Sequence, residues 1–417
     1  MLDIHFIREH PDIIRENNAR RGCTVDVDEI LKRDQTHRTL ITKIDELRAA
    51  RNKAAEAGKP SEEEIKQLRA HGDELKRLEE QQNENQEKLN ELLSWLPNLF
   101  APEVPHGKND TDNVEIKRGG TIPAFDFTPK DHQTLGEELD IIDVARAVKV
   151  AGTRFYYLKN DGVLLRLALI QYGLKVLMEK GFSPFFTPHL ARTRTLFGTG
   201  YLPFFKDDIW RVGGEKSDLS LIGTSEQTLV GYHQDEILDA AVLPLKYAGL
   251  SSCFRTEAGS YGKDTKGILR VHEFYKLEQI IFCLPEESEK WHEFALAIEE
   301  RFCQELGLPY RVVLVCDGDC GAPGYKKYDI EVWFPAQDTY REATSNTNLT
   351  DFQTRRLNTR VKYQGKAVYP HTISATGLTD RFLIAILENN QRADGSVAIP
   401  EPLQPYLQGR EEIRKRT

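Results

Sequence analysis

The stretch from Phe254 to Gln279 combines charged and aromatic side chains in a pattern that suits nucleotide binding. Arg255 and Glu257 are two residues apart, so on a strand they project from the same face. Phe274 lies further along the same stretch. An arginine guanidinium can bind phosphate through two parallel hydrogen bonds, and an aromatic face can stack on a base. The pattern therefore predicts an antiparallel ribbon that holds a nucleotide.

The ribbon is expected to contain a strand, a polar loop and a returning strand. The loop from Ala258 to Gly267 has three glycines and carries Lys263 and Lys266, which suits a mobile connection that contacts phosphate. On the returning strand, alternation gives two sets of side chains, namely Arg270, His272, Phe274 and Lys276 on one face and Val271, Glu273 and Tyr275 on the other. An isolated Arg-x-Glu would indicate only an amphipathic hairpin with a solvated loop, whereas the whole string indicates a binding site.

This string resembles motif 2 of the class II aminoacyl-tRNA synthetases, and within that class it is similar to the seryl-tRNA synthetase family. The resemblance covers almost the whole chain and implies a two-step reaction. In the first step, the carboxylate of serine attacks the α-phosphorus of ATP, giving seryl-adenylate and pyrophosphate. In the second, the terminal ribose hydroxyl of tRNA(Ser), and also of tRNA(Sec), attacks the acyl carbon. The ATP-binding residues that the resemblance implies within motif 2 are Arg255, Thr256, Glu257, Val271 and Phe274.

Other segments resemble the parts of the family that surround the amino acid. The stretch from Leu221 to Leu238 contains Thr224, Ser225 and Glu226, which are similar to the Thr-x-Glu segment that closes over serine. The resemblance implies that Thr224 hydrogen-bonds the substrate and that Glu226 attracts its ammonium group. FGTGYLPFF, from Phe197 to Phe205, matches a family segment near the same pocket. The other serine-binding residues that are implied are Arg255, Glu278 and Thr376.

A further segment, from Lys326 to Arg356, resembles the part of the family that binds ATP and Mg²⁺. It implies that residues of the ATP site are Glu342, Ala343, Thr344 and Ser345, with Glu342 and Ser345 as metal ligands. Mg²⁺ prefers one or two carboxylates together with phosphate oxygens and water, so one glutamate beside a hydroxyl is adequate. The sequence lacks the GxxxxGK[ST] pattern of a P-loop, so ATP is expected to bind on the sheet.

The stretch from His371 to Gln391 resembles motif 3. Its run FLIAIL is apolar all round, which predicts a helix buried against a sheet. Arg381 opens this helix, where a cation is unfavourable, so it is either a structural accident or a functional requirement. The resemblance favours function and implies a catalytic set of Arg255, Glu257 and Arg381. The family usually has Asn-Gly-Ser-Gly before this helix, whereas this chain has SATG at 374–377 and one residue fewer before Arg381.

Long helices are predicted to precede these segments. From about residue 27 to 96, apolar residues follow helical spacing on both sides of a break at Gly58-Lys59-Pro60, which predicts an antiparallel coiled-coil hairpin that projects into solvent. The first helix carries Leu40, Ile44, Leu47 and Ala54 at helical spacing. The second has Leu68, Leu75, Gln82, Leu89 and Leu96 in steps of seven, with Ile65 and Leu93 at the other seam position.

The two predicted helices differ in charge. Between Lys32 and Lys59 there are eight Lys or Arg and four Asp or Glu, whereas between Ser61 and Leu96 there are five and ten. A charged face alone indicates only a solvated helix. Seryl-tRNA synthetases have such an N-terminal arm, which holds the long variable arm of their tRNA, and Lys and Arg contacts to phosphate suit recognition of RNA shape. The implied tRNA-binding residues are Lys43, Arg48, Arg51 and Lys53.

Residues 101–130 are rich in Pro, Gly, Asn and Asp and are interpreted as a linker between a tRNA-binding arm at 1–100 and a catalytic domain at 131–417. This domain is predicted to be α+β, built on an antiparallel sheet flanked by helices. A helix after Ala151 is expected to have an apolar face formed by Leu164, Leu167, Ala168, Leu174, Leu177 and Met178. With the strand through Phe185 and Phe186 it resembles motif 1, which implies a homodimer; by itself it indicates a helix packed on a sheet.

The composition limits the possible locations and partners. The 417 residues carry a net charge of −9, which argues against indiscriminate nucleic-acid binding but allows a local basic surface. The six cysteines give no disulfide framework, and no signal peptide or long apolar run is present, so a cytoplasmic protein is predicted. Cys316 and Cys320 form a CxxxC, but no second Cys or His pair follows at zinc-site spacing, which argues against a structural zinc site there.

Two other classes of function stay open. A synthetase-like ligase that loads an amino acid onto a carrier protein would lack the tRNA-binding arm, so the heptad hairpin counts against it. A non-catalytic RNA-binding or regulatory paralogue should have lost its charged site residues. Those residues are all present, namely Arg255, Glu257, Glu278, Glu342 and Arg381.

Overall fold

The structure, a computed structural model, describes residues 1–56, 61–214, 217–258 and 267–415. The chain forms two compact units, Met1–Leu99 and Phe100–Thr417. Most of the predicted loop from Ala258 to Gly267, with Lys263 and Lys266, lies outside the described residues, as does the break at Gly58-Lys59-Pro60.

The helices of the described residues are α1 (Ile4–Glu9), α2 (Pro11–Arg20), α3 (Val27–Glu56), α4 (Glu62–Ser94), α5 (His132–Glu138), α6 (Val144–Ala151), α7 (Asp161–Glu179), α8 (Thr193–Gly198), α9 (Ser225–Val230), α10 (Ser288–Glu305), α11 (Phe352–Leu357) and α12 (Asp380–Asn389). The strands are β1 (Val114–Gly119), β2 (Ile142–Asp143), β3 (Tyr157–Leu158), β4 (Ser183–Phe186), β5 (Leu190–Arg192), β6 (Arg211–Val212), β7 (Leu219–Leu221), β8 (Ile237–Asp239), β9 (Leu245–Phe254), β10 (Glu273–Cys283), β11 (Tyr310–Leu314), β12 (Lys326–Phe334), β13 (Thr339–Thr350), β14 (Arg360–Tyr363), β15 (Lys366–Val368), β16 (His371–Thr379), β17 (Val397–Ala398) and β18 (Glu412–Ile413).

In the first unit, α3 and α4 pack against each other as a helical hairpin. The α4 helix starts at a capping box, in which Ser61 and Glu64 each satisfy a backbone N–H group of the other. The buried seam between α3 and α4 is formed by Leu40, Ile44, Leu75 and Leu78, with Leu47 packed against it. A second apolar cluster joins the ends of α4 and α3 to the two short helices through Ile7, Ile14, Ile30, Leu89, Leu93 and Leu96.

One part of the predicted seam is wrong. Ile65 is 41% exposed, and Leu78 and Asn85 lie buried on α4 instead. Asn85 is tolerated because its Nδ2 donates to the backbone oxygen of Arg33 at 2.9 Å. A buried polar residue interrupts the apolar repeat, so the repeat alone could not identify the second seam position.

The second unit is built on an eight-stranded sheet with the order β1-β11-β12-β13-β16-β10-β9-β4. All neighbouring strands are antiparallel except β4 and β9, which are parallel. The α7, α10 and α12 helices contact this sheet, and the run from Phe382 to Leu387 in α12 is completely buried. The prediction of an α+β fold with a helical hairpin and an antiparallel sheet flanked by helices is confirmed.

The edges of the sheet differ from the sequence interpretation. The β1 strand lies within residues 101–130, which were predicted to be a linker, and pairs with β11 from Val114 to Gly119. Its side chains are almost all exposed, so the stretch lacks the apolar alternation of a half-buried strand. It forms a strand because its backbone pairs with the backbone edge of β11. That edge lies about 200 residues further along the chain, and no local pattern identifies it.

The predicted apolar face of α7 is also partly wrong. Ala168 and Leu177 are buried as expected, but Leu164, Leu167 and Met178 are exposed. The face that contacts the sheet carries Leu165, Leu169, Tyr172 and Val176 instead. The helix has apolar residues on both sides, so periodicity could not select the buried one.

Within the described residues, every helix is too short or too polar to cross a bilayer.

Candidate active site

A cavity of about 460 Å³ opens over the middle strands of the sheet in the second unit. It brings together most of the residues that the sequence singled out. The predicted residues that line it are Glu226, Arg255, Glu257, Val271, Phe274, Glu278, Glu342, Ala343, Ser345, Thr376 and Arg381. The predicted residues that do not line it are Thr224, Ser225, Thr256 and Thr344.

Arg255 follows the end of β9, and its backbone continues the antiparallel pairing beyond the strand. Its N–H donates to the backbone oxygen of His272 at 3.0 Å. This pairing orients the side chain across the returning strand, where its guanidinium carbon lies 5.2 Å from the ring centroid of Phe274. A cation and an aromatic face therefore stand side by side in the cavity, an arrangement suited to a phosphate and a base.

Glu257 stands at the root of the hairpin loop with a positive φ of 54°. Few residues other than glycine adopt this conformation, so surrounding contacts must hold it. One such contact is an ion pair, in which Nη1 of Arg270 lies 2.6 Å from Oε2 of Glu257. The two residues flank the loop and tie its ends together beside the cavity.

Thr256 faces away from the cavity. Its N–H donates to the backbone oxygen of Asp208 at 3.2 Å, and its hydroxyl donates to the backbone oxygen of Asp207. It therefore fixes the 3-10 turn Lys206–Asp208 against the ribbon. These contacts, rather than strand alternation, orient Thr256, because it lies beyond the end of β9.

At the other end of the cavity, Glu226 is held by two side chains that sequence reasoning did not select. Nε2 of Gln353 donates to Oε1 of Glu226 at 2.7 Å, and the hydroxyl of Tyr201 donates to Oε2 at 3.2 Å. Tyr201 and Gln353 occur within quoted segments, FGTGYLPFF and the Lys326–Arg356 stretch, but nothing local links them to Glu226. The carboxylate is thus oriented toward the cavity, where it can attract a cation.

Thr224 and Ser225 build the helix that carries Glu226. Thr224 is the N-cap of α9, and its hydroxyl accepts from the Glu226 N–H at 3.2 Å. The Ser225 hydroxyl donates to the backbone oxygen of Gly249 at 3.2 Å. Both residues are fully buried, so their hydroxyl groups position α9 and do not open into the cavity.

Glu278 and Lys276 form a buried ion pair on β10. Nζ of Lys276 lies 2.5 Å from Oε2 of Glu278, and the Ser374 hydroxyl donates to Oε1 at 3.3 Å. Burial raises the pKa of Glu278, and the lysine and serine offset only part of that effect. Thr376 lies directly opposite Glu278 in the pairing of β10 with β16. This end of the cavity therefore holds closely spaced hydrogen-bonding groups suited to a small hydroxylated ligand.

The opposite end carries Arg381, the second residue of α12. Thr379 caps the helix and accepts from the Arg381 N–H at 3.2 Å. The Arg381 guanidinium donates to the backbone oxygen of Glu342 at 2.6 Å. Burial acts to raise the pKa of Glu342, but the nearby cations Arg381 and Lys327 lower it below its usual value. Glu342 is therefore a negatively charged group in a positively charged surrounding.

The residues around Glu342 suit a divalent cation. Ser345 lines the cavity and lies opposite Asp329 in the pairing of β12 with β13. Asp329 is buried, and among the described residues its Oδ1 has no hydrogen-bond partner, while its Oδ2 lies 2.9 Å from Nζ of Lys327. Carboxylate and hydroxyl oxygens are the ligands that Mg²⁺ prefers. Thr344, in contrast, points away from the cavity toward the buried Glu299 of α10.

A second acidic group that could hold a metal lies outside the cavity. Glu289, His292 and Glu293 have ligand atoms within 4.8 Å of one another on α10. The ammonium of Lys326 already pairs with Glu289, so this group has a resident cation. No metal site was predicted at these residues from the sequence.

The four basic residues selected on the first unit all lie on α3 with exposed side chains. Nη2 of Arg48 is 2.8 Å from Oε1 of Glu79 on α4, so its charge is partly compensated. Lys43, Arg51 and Lys53 remain on the exposed surface of the helix. Surface cations of this kind can contact phosphate groups without reading bases.

Comparisons with known proteins cover the whole chain. Residues 1–100 match the family model described as the seryl-tRNA synthetase N-terminal domain, and residues 210–390 match the tRNA synthetase class II core domain (G, H, P, S and T). A serine–tRNA ligase of Dictyoglomus turgidum is 46% identical over 99% of this chain and 99% of its own length. The seryl-tRNA synthetase of Pyrococcus horikoshii, solved with ATP, is 42% identical with a TM-score of 0.94 and complete coverage of both chains. The cytoplasmic serine–tRNA ligase of Naegleria fowleri, solved with AMP, is 32% identical with a TM-score of 0.90, and the match covers 100% of this chain and 99% of that one.

Proposed function

Since this chain belongs to the seryl-tRNA synthetase family of class II aminoacyl-tRNA synthetases, we propose that its cavity activates L-serine with ATP and passes it to tRNA. The observation that carries the proposal is the division of one cavity into two chemically distinct ends. Arg255 lies over Phe274 near the start of β10, and with Arg381 these residues suit ATP. Glu278, four residues further along β10, lies near Glu226, and these two carboxylates suit a small amino acid. The relatives solved with ATP and AMP support the choice of nucleotide.

In the first step, the serine carboxylate attacks the α-phosphorus of ATP and pyrophosphate leaves. Arg255 is suited to bind the α-phosphate and Arg381 the outer phosphates, while Phe274 stacks on adenine. The reaction needs no covalent enzyme intermediate, so catalysis depends on positioning and on stabilising developing charge. In the second step, the ribose hydroxyl at the 3′ end of tRNA attacks the acyl carbon, and AMP leaves.

Selection of serine follows from the polarity of its subsite. The carboxylate of Glu226 would bind the ammonium group, and Glu278 and Thr376 would hydrogen-bond the side-chain hydroxyl. A site of this kind rejects alanine because its buried polar groups would be left without partners. Thr224 and Ser225 would act by positioning α9. Thr256 would act by holding the 3-10 turn Lys206–Asp208, and Thr344 through its contact with Glu299 of α10.

Mg²⁺ is part of the proposal. Glu342 and Ser345 would hold it, with Asp329 as a nearby buried carboxylate, and the ion would neutralise phosphate charge during pyrophosphate release. The lowered pKa of Glu342 supports this assignment, because a metal-binding carboxylate must be ionised.

The first unit is proposed to bind tRNA(Ser), and tRNA(Sec) by the same route, as a tRNA-binding domain of residues 1–100. Its match to the N-terminal domain of the family and the exposed cations Lys43, Arg51 and Lys53 support this role. Residues 131–417 would then form the catalytic domain. A cytoplasmic location is part of the proposal and is supported by the six free thiols.

We further propose a homodimer formed through α7 and β4. Leu164, Leu167 and Met178 expose apolar surface on α7, and Phe186 of β4 is 86% exposed. The β4 strand lies at one edge of the eight-stranded sheet, so its outer side is available for another chain. Exposed apolar patches of this kind commonly mark protein interfaces.

The experiment that tests the function is ATP–pyrophosphate exchange by the purified protein with each amino acid in turn, followed by charging of tRNA. Exchange that depends on serine, with aminoacylation of tRNA(Ser), is expected. Exchange with serine but transfer to a carrier protein would favour the carrier-protein ligase. Binding of RNA without exchange would favour the non-catalytic paralogue.

A further inference from the structure

A buried ion pair joins α7 to the phosphate end of the cavity. Nε of Arg166 lies 2.8 Å from Oδ1 of Asp380, and its Nη2 lies 3.1 Å from Oδ2. The two side chains are 18% and 8% exposed. A guanidinium that meets a carboxylate through two parallel hydrogen bonds fixes orientation as well as charge.

Asp380 gathers several elements at the start of α12. Its Oδ2 also accepts from the Tyr156 hydroxyl at 2.8 Å and from the Tyr275 N–H at 3.1 Å. The Arg166 guanidinium lies over the Tyr275 ring at 4.8 Å. Tyr275 follows Phe274 on β10, and Asp380 precedes Arg381. One carboxylate thus ties the strand that carries the proposed adenine contact to the helix that carries the proposed phosphate contact.

The same carboxylate poses an electrostatic problem, because Asp380 also lines the cavity. A negative charge one residue from Arg381 opposes the binding of a triphosphate at that end. In a partly buried cavity such repulsion is weakly screened by solvent. The positive charge of Arg166, on the far side of Asp380, compensates it.

We propose that Arg166 is a positioning residue for ATP. Arg166 neutralises the charge of Asp380 and fixes the first turn of α12, so that Arg381 faces the triphosphate. This role rests on the proposed function and concerns the nucleotide end of the cavity only. Arg166 is not among the residues that line the cavity, whereas its partner Asp380 is. Its effect reaches ATP through Asp380 and the start of the helix.

The test compares Arg166→Gln, Asp380→Asn and the double variant in serine-dependent ATP–pyrophosphate exchange. In Arg166→Gln the charge of Asp380 is left uncompensated, so KM for ATP is expected to rise about tenfold, or about 1.4 kcal/mol, while KM for serine stays unchanged. Asp380→Asn removes the repulsive charge itself, so its KM for ATP is the reference value for the double variant. The double variant should recover KM for ATP to near the value of Asp380→Asn.

Two further variants separate charge from folding. Arg166→Lys keeps the charge without the guanidinium fork, so it should show a smaller rise in KM for ATP than Arg166→Gln. The matched control is Arg410→Gln, because Arg410 and Asp161 form another Arg–Asp pair, at 2.9 Å, away from the cavity. It should leave both KM values unchanged. Thermal unfolding of every variant reports its stability alongside.

The proposal is overturned if Arg166→Gln leaves KM for ATP unchanged. It is also overturned if Arg166→Gln changes both KM values and kcat together and the double variant does not recover KM for ATP, since that is the result for a purely structural pair. Should Arg166→Gln not fold, the double variant is compared with Asp380→Asn: similar KM values for ATP support the proposal, and a raised value in the double variant contradicts it. Failure of the proposed function is distinct, because the unmodified protein would then show no serine-dependent exchange.

Discussion

The guanidinium of Arg381 lies 3.2 Å from the carboxylate of Glu342 at one end of the cavity. These two residues are proposed to bind opposite partners, the first a phosphate and the second Mg²⁺. Before the ligands bind, each compensates the charge of the other. On binding of ATP with Mg²⁺, this ion pair would be replaced by two others, Arg381 with phosphate and Glu342 with Mg²⁺. The ion pair can therefore hold both side chains in place until the nucleotide binds.

Replacement of Glu342 by Gln tests the metal role. The amide keeps the shape of the side chain but loses its charge, so the Mg²⁺ concentration that gives half-maximal exchange should rise about tenfold or more. The measurement is exchange as a function of Mg²⁺ concentration. Glu331→Gln is the control, since Glu331 lies opposite Glu342 in the strand pairing but binds Arg311 at 2.6 Å outside the cavity. An unchanged Mg²⁺ requirement in Glu342→Gln would remove this residue from the metal site.

Substitution of Arg255 by Ala should reduce serine-dependent exchange by at least about 100-fold, because a donor to the developing charge on the α-phosphate is lost. Arg255→Lys should recover little, since a single ammonium cannot replace the guanidinium fork. Arg355→Ala is a suitable comparison, because Arg355 pairs with Asp351 away from the cavity. Near-normal exchange by Arg255→Ala would refute the phosphate role.

The tRNA role of α3 can be tested by the triple variant Lys43→Ala, Arg51→Ala, Lys53→Ala. We expect a raised KM for tRNA and a weaker dependence of tRNA binding on salt, by about one unit of slope for each lost phosphate contact. Exchange without tRNA should not change. The matched triple variant on α4, Lys66→Ala, Arg69→Ala, Lys76→Ala, is expected to have a smaller effect. A loss of exchange equal to the loss of charging would show that the helix has only a structural role.

Phe186→Asp is expected to convert the protein from dimer to monomer in sedimentation experiments at the same concentration. The phenyl ring is largely exposed on the edge strand β4, and burying a charge in its place at an interface is unfavourable. Ile116→Asp is the control, because Ile116 is exposed on β1 at the opposite edge of the same sheet. A Phe186→Asp variant that sediments like the unmodified protein would exclude this surface.

The stability of the second unit should depend on Glu299. Burial raises the pKa of this carboxyl well above its usual value, and Thr344 and Asn346 offset only part of the effect. The folded state therefore favours the protonated form, and its stability falls as pH rises above the unfolded value of about 4.5. Glu299→Gln removes this penalty, so its free energy of unfolding should exceed that of the unmodified protein increasingly with pH, by up to about 1.4 kcal/mol per pH unit.

Denaturant unfolding at pH 5 and pH 8 measures this difference. Glu300→Gln is the control on the next position of α10, because Glu300 pairs with Lys117 at 2.7 Å and accepts from the Tyr310 hydroxyl at 2.9 Å. Its loss should lower stability at both pH values. If Glu299→Gln were no more stabilising at pH 8 than at pH 5, the Glu299 carboxyl would not be held protonated.

The sequence was sufficient for the features that depend on neighbours along the chain. Arg255 and Glu257 both line the cavity, as expected from their spacing of two, although they lie beyond the end of β9. The apolar run in α12 predicted its complete burial. In each case the pattern itself lies within a few consecutive residues, so residue type and spacing are enough to predict the feature.

Only the tertiary structure decided which distant groups meet. Gln353 reaches Glu226 across 127 residues, and Arg166 reaches Asp380 across 214. Neither pair has a local signature, because all four residues lie on helices. Which of their side chains meet depends on how α7, α9, α11 and α12 pack against the sheet. The buried face of α7 was likewise selected by the sheet on which it packs. A buried polar group is stable only where another group forms a hydrogen bond or an ion pair with it, and the packing of the whole fold brings that partner into place.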